Sequence, residues 1–278
     1  MNSVATNWAR SSEDVGASAS SIRASLRGAY LSIAGTLARE PKGDFLHCLY
    51  LHGVYDDQVE NFASLLDALL DIGSFIETRE VFDIIEDRAK LKGRSFHLSF
   101  DDGFDNNHRN AFPSLSERGI HAAFFVPSTL VGASDAFVLD HWWAPEQSPT
   151  RFMTWSQVRE LSEAGHEIGS HTRTHKRLRS DAHRTDELRN QIRGSKQEIE
   201  DRLGSACRYI AWPFGTAQDI DDAAHGEIVA AGYDGGFSAI RGAASPETSR
   251  YSVPRHHFEA DWSWPHVRYF ALGNGASS

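Results

Sequence analysis

The chain has 278 residues and a formal net charge of −10, with 40% hydrophobic and 24% charged residues. That length allows one large domain or two ordinary ones, with ample core, and the composition is that of a globular chain. The acidic balance argues against nucleic acid or an anionic membrane surface as the main partner, and no run approaches the ~20 apolar residues that span a bilayer.

Residues 1–40 are rich in Ser and Ala, with a short helix expected over 22–37, and read as an extension that is partly disordered or docked. They lack the basic-then-apolar order of a secretory signal, so a cytoplasmic location is expected. The pattern changes at Pro41. From there, β-rich runs alternate with amphipathic segments. The strand candidates are Leu46–His52, Ser74–Glu77, Phe96–Asp101, Ala122–Val126, Glu167–His171, Cys207–Trp212 and Tyr251–Phe258. Between the first two, Val59, Phe62, Leu65, Leu66, Leu69 and Leu70 fall on one helical face. Thr78 reads as the N-cap of the next helix, and 181–203 as a long polar helix. Cys48 and Cys207, the only cysteines, lie in apolar runs and read as reduced core thiols rather than a disulfide framework.

Alternating β and α units imply a parallel sheet, and about seven of them fit a closed or nearly closed (β/α) barrel better than a small open sheet. The expected organisation is an extension over 1–40, one catalytic domain over 41–260 and a tail over 261–278. The stretch 132–151, with Asp140-His141-Trp142-Trp143, has no clean periodicity. It reads as a loop at the barrel mouth whose tryptophans could face a substrate.

Three features fall where strands end. Ser99-Phe100-Asp101-Asp102-Gly103 puts two carboxylates side by side, an unfavourable arrangement unless a cation lies beside them. His171 and His175, four residues apart, can share one face of a helical turn and aim at one ion. Each alone is also what a solvated turn or two surface histidines would look like. Together, one carboxylate and two histidines make a ligand set that leaves positions open for water and substrate. The third feature, Ala211-Trp212-Pro213-Phe214-Gly215, reads by itself as a simple strand-to-loop turn.

Taken in this order and spacing, Ser-Phe-Asp-Asp-Gly, His-Thr-x-Thr-His and the Pro-Phe-Gly turn resemble the polysaccharide deacetylases (NodB-homology, carbohydrate esterase family 4). Leu51-His52-Gly53-Val54, Ala123–Pro127 and Gly165–His171 add to the resemblance, which covers residues 46–258. It implies a distorted barrel with fewer than eight strands. It also implies Asp101 as general base, with Asp102, His171 and His175 as ligands of a divalent metal, zinc first, with Co²⁺, Ni²⁺ or Mn²⁺ as substitutes. The Phe214 N–H would hold the oxyanion, with Pro213, Trp212 and His52 lining the substrate site and Thr172 and Thr174 supporting the ligands. Many relatives carry Arg where this chain has Ala211. The Pro254-Arg255 step resembles a branch with Pro-Arg on the last strand, so Arg255 is expected to pair with Asp101 in its place. His257, on the same side of that strand, is the preferred general acid and His256 the reserve. The resemblance implies removal of an acetyl group, N-acetyl before O-acetyl, from a sugar or oligosaccharide. Two rivals are a same-scaffold hydrolase of a formamido sugar or a cyclic imide or ureide, and a non-catalytic carbohydrate-binding protein. The intact Asp101, Asp102, His171 and His175 argue against the second.

Overall fold

The computed structural model describes residues 43–135, 151–179 and 185–273, together with 28, 30–31, 33–38 and 137–138. Its eight strands are β1 (Phe45–Leu51), β2 (Ser74–Phe75), β3 (Arg94–Phe100), β4 (Ala123–Val126), β5 (Glu167–Ser170), β6 (Tyr209–Ala211), β7 (Gly235–Phe237) and β8 (Arg255–His257). Seven of them run in the order β7-β6-β5-β4-β3-β1-β8, while β2 pairs with the first half of β3. Every paired strand is parallel. The ends of the row nearly meet: Phe237 bridges Val253, and the Arg255 N–H donates to Ile240 O at 2.9 Å. The result is a nearly closed (β/α) barrel of seven parallel strands.

Strand β1 is buried along its whole length because it has a filled barrel on one face and helices on the other. Its period-two alternation separates the faces. Leu46 and Cys48 join Phe125, Tyr209, Ala211, Phe237 and Val253 in the barrel interior. Phe45, Leu49 and Leu51 join the outer core with the helices. Cys48 pairs with Arg255 in register, so Arg255 enters the interior and His256, one residue on, leaves it. Both cysteines are buried and free.

The helices are α1 (Val59–Leu70), α2 (Thr78–Ile85), α3 (Phe112–Ser116), α4 (Trp155–Glu163), α5 (Thr185–Arg189), α6 (Ser195–Leu203), α7 (Asp222–Ala230) and α8 (Trp264–Ala271). The amphipathic reading of α1 holds for Phe62, Leu65, Leu66 and Leu69, but Leu70 is 39% exposed at its end. Thr78 is the first helical residue of α2 rather than its cap. Glu77 is the cap, its N–H donating to the Glu80 carboxylate at 2.9 Å, while the Thr78 hydroxyl turns inward to His97 Nε2 at 3.0 Å. The helix expected over 181–203 is observed from Thr185 and contains a π-helical turn, Asn190–Gly194, between α5 and α6. Residues 181–184 and the stretch Asp140–Trp143 lie outside the described residues.

Sequence periodicity misses one strand. Gly235-Gly236-Phe237 offers one apolar side chain, yet it completes the sheet beside β6 because Gly235 lets the Phe82 ring pack against its backbone. At the chain ends, residues 33–37 are helical and meet α8: the Arg268 guanidinium donates to Gly35 O and Ala38 O at 2.7 and 2.9 Å. Among the described residues no helix is long and apolar enough to cross a membrane.

Gly169 in β5 tests the packing that supports the site. A Cβ there would fall on the Phe125 ring and come within 3.0 Å of Tyr209 O. Gly169→Ala should lower stability by roughly 1–3 kcal/mol through overpacking, read as a lower urea midpoint with an unchanged m-value.

Candidate active site

The loops after β1, β3, β5 and β6 leave from the carboxyl ends of their strands, where parallel barrels place their sites. They bring His52, Asp101, Asp102, His171, His175, Trp212 and Phe214 around one cavity, to which the strands themselves add Tyr50 of β1 and Arg255 of β8. Among the described residues five non-glycine positions have positive φ, and four lie here: Asp102 (69°), Thr172 (65°), His175 (55°) and Phe214 (64°). Left-handed backbone at such residues costs on the order of 1–3 kcal/mol each, and persists where the surroundings over-determine it. His171 and His175 therefore sit on a left-handed turn, not the helical turn expected from their spacing.

Asp102 Oδ1 lies 3.4 Å from His171 Nε2 and 3.0 Å from His175 Nε2, and all three side chains are at least nine-tenths buried. In this tight set Asp102 Oδ1 is buried without an aligned hydrogen-bond partner. Tetrahedral ligands around a zinc-sized ion, at ~2.0–2.2 Å from it, stand about 3.3 Å apart. Two imidazoles and a carboxylate at these separations fit a divalent cation. His171 is oriented by Nδ1, 2.7 Å from Ala211 O, which fixes Nε2 as the atom facing Asp102. The hydroxyls expected to support the ligands do not do so. The Thr172 hydroxyl is buried without a hydrogen-bond partner, and Thr174 Oγ1 accepts from Gln191 Nε2 at 2.8 Å.

Asp101 is held from the other side. Arg255 Nη1 and Nη2 each donate to one of its carboxylate oxygens at 2.8 Å, the ion pair expected from the Ala211 departure. Arg255 also donates to Ser99 Oγ at 3.0 Å and to Ser238 O at 2.8 Å, and Tyr50 packs over its guanidinium at 4.4 Å. It is 1% exposed. Burial pushes the Asp101 carboxyl upward, but Arg255, then His171, outweigh it and hold the group below its ordinary range. For Asp102 burial is likewise outweighed, here by His175 and His171, and its carboxyl is held well below the usual value.

The remaining expectations divide. His52, Trp212 and Phe214 line the cavity, whereas Pro213 is buried in the turn beside it. His257 shares a strand face with Arg255 but does not line the cavity. It pairs in register with Tyr50, and that ring and His52 wall it off, each with centroids 5.1 Å from its own. His257 Nε2 is 2.9 Å from Glu259 Oε1. His256 points outward against α8, 5.5 Å from His47, and burial pushes its imidazole down to about 3. That removes the reserve proton donor. Sequence reading missed Tyr50 and Ser99, which period-two counting back from His52 and Asp101 places on the same inward faces. It also missed Arg177, whose guanidinium sits 4.0 Å over the Phe214 ring and 2.9 Å from Asp219, tying the turn after β6 to the histidine loop.

The sequence profile of the polysaccharide deacetylase family matches residues 88–235, more than half of the chain. The chain belongs to the polysaccharide deacetylase family. Its match includes Asp101, Asp102, His171, His175 and Phe214, while His52 and Arg255 fall outside it. Among solved structures, IcaB from Ammonifex degensii is similar, with 25% identity and a TM-score of 0.70 over 84% of this chain and 100% of that one. The Streptococcus pyogenes deacetylase PplD, solved in complex with acetate, has the same fold, with 18% identity and a TM-score of 0.66 over 82% and 98%. The putative polysaccharide deacetylase YxkH of Bacillus subtilis (strain 168) is 23% identical over 158 residues, 57% of this chain. The chain spans about half the length of that relative (49%).

Removing one partner of a buried pair leaves an uncompensated charge and costs ~3–5 kcal/mol. Arg255→Met should lose that much stability near neutral pH in metal-free protein. Asp101→Asn combined with Arg255→Met should lose less than the sum of the singles. Asp101 is held below its unfolded value of ~3.9, so the pair stabilises the fold above that pH and the contribution fades as pH falls through the lower folded value. Urea titrations at pH 7 and pH 3 measure both.

Proposed function

We propose that the chain is a divalent-metal-dependent deacetylase that removes an N-acetyl group from a saccharide, with zinc as the preferred cation. What carries this reading is one juxtaposition: Asp101, held ionised by Arg255, sits beside the Asp102–His171–His175 set in a cavity that also exposes the turn at Phe214. A cation held by Asp102, His171 and His175 would polarise the acetyl carbonyl and acidify a water.

The chain's own groups then have distinct tasks. Asp101 takes the proton of the attacking water as a C–O bond forms at the acetyl carbon. Arg255 keeps that carboxylate ionised and pins its orientation through two hydrogen bonds. The Phe214 N–H, in its left-handed turn, donates to the oxygen that becomes negative in the tetrahedral intermediate. His52, the histidine of the cavity wall outside the metal set, gives a proton to the departing nitrogen as the C–N bond breaks, leaving acetate and a free amine. A proton donor matters more for an amine than for an alcohol, because an unprotonated amide nitrogen is the poorer leaving group; this favours an N-acetyl over an O-acetyl substrate. His257, expected as the acid, stands behind His52 and takes no direct part in this scheme.

Purified protein with one equivalent of Zn²⁺ should release acetate from N-acetylated glucosamine oligosaccharides, seen by mass spectrometry as loss of an acetyl group. Asp101→Asn should keep its zinc and lose ~10²–10⁴-fold in rate, the usual value of a general base. His175→Ala should lose zinc and activity together. An Asp101→Asn protein that came without zinc would reverse the roles given to the two aspartates.

A further inference from the structure

A second group of side chains with metal-ligand chemistry lies against the first, and of its members the deacetylation chemistry uses only His52. His52, His257 and Glu259 each offer one ligand atom, and these atoms all lie within 4.8 Å of one another, the same closeness that marks Asp102, His171 and His175. The two groups share further features. In the first, Asp102 Oδ1 is 3.0 Å from His175 Nε2 and is buried without a hydrogen-bond partner. In the second, His257 Nε2 is 2.9 Å from Glu259 Oε1 and is likewise buried without an aligned hydrogen bond. Both contacts are close to the about 3.3 Å at which neighbouring ligands stand around one zinc-sized ion. The sequence puts the three together through register: Tyr50 pairs with His257, so His52, just past the end of β1, and Glu259, just past the end of β8, emerge side by side at the rim.

We infer that His52, His257 and Glu259 form a second divalent-cation site, which when filled withdraws His52 from the cavity. Two imidazoles and a carboxylate are a borderline-soft set that suits Zn²⁺ over Mg²⁺ or Ca²⁺. The side chains of His257 and Glu259 are 25% and 27% exposed, so an ion can reach them without passing through the buried centre. Of the six ligands, only His52 belongs to both worlds: it lines the catalytic cavity and completes the outer set. An imidazole whose nitrogen lone pair is on a cation cannot carry the proton that the leaving amine needs. A second equivalent of zinc should therefore inhibit the enzyme that the first activates. This last consequence rests on the deacetylase reading above; the site itself does not.

The test is zinc binding by the full-length, metal-stripped protein, followed by equilibrium dialysis with Zn²⁺ alone and elemental analysis. The wild-type chain should bind two ions. His257→Gln and Glu259→Gln should each bind one while keeping the wild-type thermal midpoint in metal-free buffer. The double variant His171→Ala, His175→Ala should also bind one, and it should lose that ion when Glu259→Gln is added. In the activity assay excess Zn²⁺ should inhibit the wild type, and His257→Gln should need at least ~10-fold more for the same inhibition. A single ion on the wild-type chain, or a second ion that His257→Gln and Glu259→Gln leave in place, overturns the proposal. Two ions with the expected mutational pattern, but no hydrolysis of any acetylated saccharide, would bear out the outer site and count against the deacetylase reading instead.

Discussion

Two adjacent carboxylates, Asp101 and Asp102, are buried at the end of β3, 4% and 6% exposed, and the site is organised around keeping both charged. Neither could stay ionised there alone, since burial and mutual repulsion both favour the protonated acid. The structure separates their solutions. Asp101 faces a bidentate arginine and Asp102 faces two imidazoles. This division gives neighbouring, identical residues different surroundings, a guanidinium beside one and two imidazoles beside the other. The left-handed φ of Asp102 belongs to the same solution, because adjacent residues on a regular strand would point to opposite faces. Leaving the strand at Asp102 turns both carboxylates toward the one cavity.

Closure of the barrel is what brings the arginine there. Arg255 lies 154 residues from Asp101 in the chain, and β8 reaches it only by pairing with the far side of β1. The interior around it is apolar: Tyr50, Phe125 and Phe237 stack within 4.4–5.7 Å of the guanidinium, which strengthens the ion pair and excludes competing water. Ala211 then has a use of its own. With a methyl group in place of a long cation, its strand packs into the interior, and its carbonyl orients His171. Fold and site thus constrain each other through β1, which pairs with β3 on one edge and β8 on the other.

Much of this was legible in the chain. All seven expected strands overlap observed ones by most of their length or contain them, and the Asp102, His171 and His175 group was readable because strand-end residues of those types are hard to explain otherwise. The Arg255–Asp101 contact followed from a departure, Ala211, together with a Pro-Arg step far away. Other parts depended on three-dimensional detail that periodicity does not encode. β7 is two glycines and a phenylalanine, a strand only because its neighbours demand close packing. The support of His171 is a backbone carbonyl, which carries no residue-type signal, so the nearby threonine hydroxyls were the wrong inference. The position of His257 outside the cavity was hidden for the same reason. Alternation correctly puts His257 on the inner face, but only register shows that Tyr50 and His52 stand between it and the cavity.

The central claim is that Arg255 keeps Asp101 ionised so that it can accept a proton. The acidic limb of the pH profile of kcat/KM measures this directly, because it follows ionisation of the base in the free enzyme. Replacing Arg255 with Gln removes the charge that outweighs burial, so the Asp101 carboxyl should rise and the limb should move to higher pH, with the zinc content unchanged. A limb that stays at its wild-type position in a folded, zinc-loaded Arg255→Gln enzyme would contradict the account.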